Sequence, residues 1–228
     1  PVSAAAGGGS CQVIESPHRG QRIFAAGSPL DRAAGAMVMV HGRGATAESL
    51  LDLAGEFYRS DWAYLAPQAA GFSWYPQRFL APLEQNEPWL SSALELVGEV
   101  VRQIGAAGIP AERTVLLGFS QGACLSLEFA ARNARRYAGV IGLSGGLIGP
   151  DGAPRSDPGS LAGTPVFLGC SNRDPHIPEL RVHQTAAVLR GLGGMVTERI
   201  YPGLGHTVNE DELDFVRRLV SDPSDPSE

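Results

Sequence analysis

The stretch "AMVMVHG" (36–42) is almost uninterrupted in its apolar character, and "TVLLG" (114–118), "AGVIGLSG" (138–145) and "TPVFLGC" (164–170) repeat the theme. A strand with one face in water alternates apolar and polar residues. A strand covered on both faces reads as a continuous apolar run. Amphipathic segments separate these runs along the chain. Buried strands alternating with helices predict a mostly parallel central sheet with helices on both faces, an α/β fold.

The remaining elements fit that alternation. "QRIFAAG" (21–27) and "WAYLAP" (62–67) read as strands, and "MVTERIYP" (195–202) as a strand near a sheet edge. In "TAESLLDLAGEFYRS" (46–60), Thr46 is a suitable N-cap, Glu48 suits the first turn, and Leu50, Leu53, Ala54 and Phe57 share one face. Further helices are expected in "LSSALELVGEVVRQIGAAG" (90–108), "QGACLSLEFAARN" (121–133), "ELRVHQTAAVLRGLG" (179–193) and "NEDELDFVRRLVS" (209–221). A connection rich in aromatics and proline runs from Pro67 to Trp89. Connections of that length inside a compact domain are uncommon and usually functional.

With 228 residues and no internal repeat, the chain is expected to hold one domain over 12–220, with a flexible leader at 1–11 and a disordered tail at 221–228. The leader lacks the basic and apolar regions of a signal peptide. A net charge of −6 argues against nucleic acid or an anionic membrane as the main partner. No window reaches the roughly 18 apolar residues of a membrane span. All 18 basic residues are arginine, and the absence of lysine excludes P-loop, Schiff-base and serine–lysine chemistry. Three cysteines, Cys11, Cys124 and Cys170, have no metal-type spacing, which suits a reduced, cytoplasmic protein without disulfides.

"GFSQG" (118–122) sits between a strand and a helix and fits G-x-S-x-G. In that context the serine occupies a strained turn, and the flanking glycines let strand and helix approach. Ser120 is then a nucleophile at the carboxyl end of the sheet, and the Gln121 N–H, opening the helix, points at any anion beside it. The alternative is a serine N-cap with glycines by chance. A nucleophilic serine on this fold needs an acid and then a histidine further along the chain. Asp174 follows the 164–170 strand and His206 follows the 195–202 strand. Rivals exist. Asp151 and Asp157 lie in a Gly/Pro loop, His183 lies in a helix, and His18 lies in the irregular start. His176, two residues past Asp174, is placed to shape a pocket. The second oxyanion donor is expected in "VHGRGAT" (40–46), at the Arg43 N–H. His41, ending a buried strand, reads as structural.

The pieces "HGRGA", "LAPQA", "GFSQGACLSL", "GLSGGL", "CSNRDPHIP" and "PGLGH" resemble, in order, the phospholipase/carboxylesterase group of serine α/β-hydrolases. They span most of 36–220. The resemblance implies the α/β-hydrolase fold with no large lid domain. It also implies hydrolysis of carboxylic or thioester bonds without metal or organic cofactor, a Ser120–Asp174–His206 triad, and oxyanion donors at Arg43 and Gln121. The chain departs from the family in two places. An apolar residue usually stands where Arg43 is, and "GDxD" often stands where this chain reads "CSNRD". Arg43 therefore narrows the entrance or meets an acidic group. Cys124 lies one helical turn beyond Ser120 and is not expected to replace it as nucleophile.

These readings predict a serine carboxylesterase acting on a small-molecule ester, with a shallow site favouring short acyl chains or small aromatic esters. Phe72, Trp74, Tyr75 and Phe79 are the candidates for a pocket wall, or else a satellite of the core packed under the long loop. A thioesterase or lysophospholipase using the same triad is the first alternative, and a non-catalytic binding protein on the same scaffold the second. Monomer and homodimer are both compatible with the sequence.

Overall fold

The computed structural model describes residues 16–221; the expected leader and the tail from residue 222 onward lie outside the described residues. Seven strands form one sheet: β1 (Ile23–Gly27), β2 (Gly35–Val40), β3 (Trp62–Pro67), β4 (Thr114–Phe119), β5 (Gly139–Leu143), β6 (Pro165–Ser171) and β7 (Met195–Tyr201). Their spatial order is β1-β3-β2-β4-β5-β6-β7. Every neighbouring pair is parallel except β1 with β3. Five helices connect or follow the strands: α1 (Ala47–Leu53), α2 (Trp89–Ala106), α3 (Gln121–Arg132), α4 (Glu179–Gly191) and α5 (Glu210–Ser221). Among the described residues there is no inserted lid domain, and no helix is long and apolar enough to cross a membrane.

The continuous apolar runs are buried on both faces, as their composition requires. Ala36, Val38 and Val40 of β2 enter one core with α2, α3 and α4, while Met37 and Met39 of the same strand enter another with α1 and α5. In α2, Leu90, Ala93, Val97, Val100 and Ile104 are buried, the spacing of an amphipathic helix. The 46–60 segment is helical for less of its length than its periodicity suggests. After α1 the chain tightens into a 3₁₀ turn at Ala54–Phe57, although Leu50, Ala54 and Phe57 still bury one face. Thr46 caps α1 with a reciprocal pair: its Oγ1 accepts from the Ser49 N–H at 3.1 Å, and the Ser49 Oγ accepts from the Thr46 N–H at 3.3 Å. The long connection after β3 is packed and contains two short 3₁₀ turns, Ala70–Phe72 and Leu83–Asn86.

This topology positions the site. The chain runs from β2 outward to β3, then returns to place β4 on the other side of β2. The loops leaving β2 and β4 therefore diverge, and in open α/β sheets the crevice at such a reversal holds the ligand. Register aligns the two strand ends, with Val40 opposite Gly118.

Candidate active site

Ser120 lies between β4 and α3 with φ 55° and ψ −119°. A non-glycine residue in that region is strained, and such strain persists only where the surroundings enforce it. The enforcement is visible. The Ser120 N–H donates to the Leu143 carbonyl at 2.9 Å, and its carbonyl accepts from the Cys124 N–H at 3.0 Å. The two glycines have separate steric reasons. A Cβ on Gly118 would overlap the backbone of Gly122, and a Cβ on Gly122 would overlap the carbonyls of Val40 and His41. The motif thus presses β2, β4 and α3 together beneath the serine.

The Ser120 Oγ is 2.8 Å from His206 Nε2, and His206 Nδ1 is 2.7 Å from Asp174 Oδ2. Asp174 follows β6 and His206 follows β7, whose ends pair at Ser171 and Tyr201. The Ser171 hydroxyl ties the two loops by accepting from the N–H groups of Arg173 and Gly205, each at 3.0 Å. The Asp174 side chain is fully buried. Burial by itself raises its pKa, but three donors outweigh that effect and hold it below the usual carboxylate range. The donors are His206 and the N–H groups of His176 and Ile177, the last two at 2.8 and 3.0 Å. An ionised Asp174 accepts only, so the network assigns the proton on His206 to Nδ1 and leaves Nε2 to accept from Ser120. Phe119 and His176 flank the His206 ring, with centroids 5.1 and 4.8 Å away.

A cavity of about 770 Å³ opens in front of Ser120, and Arg43, Gln121, Tyr75, Phe79 and His176 are among its lining residues. The N–H groups of Arg43 and Gln121 have no hydrogen-bond partner among the described residues. Two of the expected wall residues are elsewhere. Phe72 points to solvent, 51% exposed. Trp74 is buried under the loop, its Nε1–H donating to the His41 carbonyl at 2.7 Å. The aromatic stretch therefore divides: Tyr75 and Phe79 line the cavity, and Trp74 is a core residue. His41 has the structural role its position suggested, with Nε2 accepting from the Ala69 N–H at 3.1 Å.

The rival residues are engaged in other contacts. Asp151 pairs with Arg181 at 2.8 Å, and Asp157 with Arg155 at 2.8 Å. His183 meets Glu198 and Glu179 at the surface. His18 is buried, accepting from the Ala70 N–H at 3.1 Å and lying 2.9 Å from the Trp74 carbonyl. Burial pushes the Cys124 thiol up to about 12, far from a thiolate nucleophile.

Sequence reasoning missed what holds the cavity wall. The Arg43 guanidinium donates to the carbonyls of Tyr75, Pro76 and Gln77 at 2.8, 3.0 and 2.7 Å. The Gln121 side chain accepts from the Trp74 N–H at 3.0 Å and donates to the Tyr75 carbonyl at 2.8 Å. Both candidate oxyanion residues thus also grip the loop with their side chains. The only signal in the sequence was an arginine where the resemblance leads one to expect an apolar residue.

The Phospholipase/Carboxylesterase family profile matches residues 22–222. A phospholipase/carboxylesterase from Dyadobacter fermentans is 46% identical, with a TM-score of 0.85 over 89% of this chain and 97% of that one. Acyl-protein thioesterase 1 of Gibberella zeae is 34% identical over 130 residues, covering 53% of this chain and 52% of that protein. Its counterpart in Debaryomyces hansenii is 32% identical over 124 residues, covering 54% and 53%. The chain thus spans about half the length of the curated relatives it matches. The Bacillus cereus carboxylesterase, 17% identical with a TM-score of 0.67 over 89% of this chain and 94% of that one, shares the fold. A match over nearly the whole described fold places the chain in the phospholipase/carboxylesterase family of serine hydrolases.

Proposed function

We propose that the protein is a serine carboxylesterase that hydrolyses short-chain or small aromatic esters through Ser120, His206 and Asp174. The observation that carries this reading is the unbroken relay from the strained serine to the buried carboxylate, at 2.8 and 2.7 Å. Ser120 Oγ attacks the ester carbonyl as His206 Nε2 takes its proton. Asp174 keeps the imidazole in the required tautomer and stabilises the imidazolium. The unpaired N–H groups of Arg43 and Gln121 receive the tetrahedral oxyanion, each worth about 3 kcal/mol in the transition state. His206 then protonates the departing alcohol. Water, deprotonated by the same histidine, releases the acid from the acyl-enzyme. The cavity volume of about 770 Å³ suits a small-molecule substrate. The two buried thiols, Cys124 and Cys170, suit a reducing compartment such as the cytoplasm.

A p-nitrophenyl ester series from acetyl to dodecanoyl tests the reading. Activity that peaks at short chains and disappears in Ser120→Ala supports it. Activity that survives the substitution, or rises clearly toward long chains, contradicts it. The thioesterase relatives favour a second reading, in which the leaving group is a thiol. Rates on the oxygen ester and the thioester of one acyl group separate the two.

A further inference from the structure

The cavity before Ser120 has a charge pattern that hydrolysis alone does not require. Arg43 and Arg78 belong to its lining, and no aspartate or glutamate does, although the chain carries a net charge of −6. Both arginines stand on one wall, Arg43 fastened to the carbonyls of residues 75–77 and Arg78 following directly. Three carbonyl acceptors engage the Arg43 guanidinium without cancelling its charge. Arg78 is exposed, and among the described residues its hydrogen bonds all go to its backbone carbonyl, which accepts from the Ala81 N–H at 3.0 Å and from Asn86 Nδ2 at 3.2 Å. Two carboxylates flanking the cavity are engaged elsewhere. Asp174 is buried behind His206. Glu128, one turn below Cys124 on α3, is paired with Arg132 at 2.7 Å and with Arg155 at 3.1 Å.

A cleft lined by one sign of charge concentrates the opposite sign and steers it inward. A free, planar guanidinium matches a single carboxylate in a bidentate pair. We infer that the ester cleaved at Ser120 carries a carboxylate, received by Arg78 in the field of the fixed Arg43. The inference rests on the hydrolase reading above and narrows its substrate to anionic esters.

Two matched pairs test it at low ionic strength. One pair is mono-p-nitrophenyl succinate against p-nitrophenyl valerate, with the charge on the acyl side. The other is 4-carboxybenzyl butyrate against benzyl butyrate, with the charge on the alcohol side. In at least one pair the carboxylate ester should have a kcat/KM about ten-fold above its neutral partner. That ratio should shrink in about 0.5 M NaCl, fall at least several-fold in Arg78→Gln, and invert in Arg78→Glu. The Arg78 side chain is exposed and makes no hydrogen bond or ion pair among the described residues, so these variants should keep the fold, which circular dichroism checks. Neutral esters preferred in both pairs, or a ratio unmoved by Arg78→Gln, would overturn the inference and leave the hydrolase reading standing. Inertness toward all four esters would overturn both.

Discussion

Ser120 and its two glycines leave almost no latitude for substitution. A methyl group at Gly122 would overlap the carbonyl of Val40 at the end of β2 and that of His41, which accepts from Trp74 Nε1. Gly122→Ala is therefore expected to cost several kcal/mol, at the upper end of what single substitutions do, and to abolish soluble expression or lower the melting temperature by about 10 °C or more. Asp174→Asn preserves the shape but removes the acceptor that orients His206. It should lower kcat by about 10³–10⁴ with little change in thermal stability, measured on a short-chain ester. These residues were legible in the sequence because motif, element context and chain order all pointed the same way. Each candidate residue also follows a strand, where backbone geometry alone brings it to the crevice. Phe72 and Trp74 were not separable from Tyr75 and Phe79 by sequence. An aromatic in a loop has the same composition signal whether it fills the core, lines a cavity or faces water.

Among the elements, the connection between β3 and α2 depends most on contacts far along the chain. Its path past the cavity is held by Arg43 from the loop after β2 and by Gln121 from the start of α3. Asn86 adds a local brace, accepting from the Gln77 N–H at 2.8 Å. Arg43→Leu keeps the backbone N–H while removing three hydrogen bonds to carbonyls. The expected result is a loss of about 1–3 kcal/mol in unfolding free energy and faster amide exchange confined to residues 72–80. Exchange that speeds up equally throughout the sheet would show instead that Arg43 supports the whole core. Periodicity could predict α2, whose buried apolar residues recur every three or four positions. It could not predict that α1 would stop at Leu53, because Ala54 and Phe57 continue the same stripe inside a 3₁₀ turn. Long-range tethers of an irregular segment have no periodic signature.

Across the whole molecule, buried titratable groups outside the candidate triad set opposing pH dependences. His18 and His41 are both buried, and desolvation lowers both of their pKa values below the ordinary histidine value. Below an unfolded pKa near 6.5 the unfolded chain takes up protons that the folded chain resists. The stability these groups allow is thus present above about pH 6.5 and is lost as pH falls toward their folded values. Glu212 acts in the other direction. It caps α5, with Oε2 accepting from the Asn209 N–H at 2.9 Å, but Oε1 is buried without a partner against Gly169. Burial raises its pKa from 4.5 to about 7, so its contribution is most favourable below pH 4.5 and is lost as pH rises through 7. Glu212→Gln should therefore stabilise the protein by about 1–3 kcal/mol at pH 8, with the gain vanishing near pH 4.5. Denaturant unfolding of the variant and the parent across that range checks both size and direction. The overall architecture was legible because buried strands and amphipathic helices leave opposite patterns. The antiparallel pairing of β1 and the strand order were not, because both depend on which edges meet after the chain has folded.

If the fold makes Ser120 a nucleophile, covalent trapping reveals it without any assumption about the natural substrate. A fluorophosphonate should label the protein with a single adduct, and peptide mass spectrometry should locate that adduct on the segment containing Ser120. Labelling should be absent in Ser120→Ala and slowed by about 10² or more in His206→Ala. Failure to label, or an adduct on another residue that persists in Ser120→Ala, would mean that the strained turn does not make Ser120 a nucleophile.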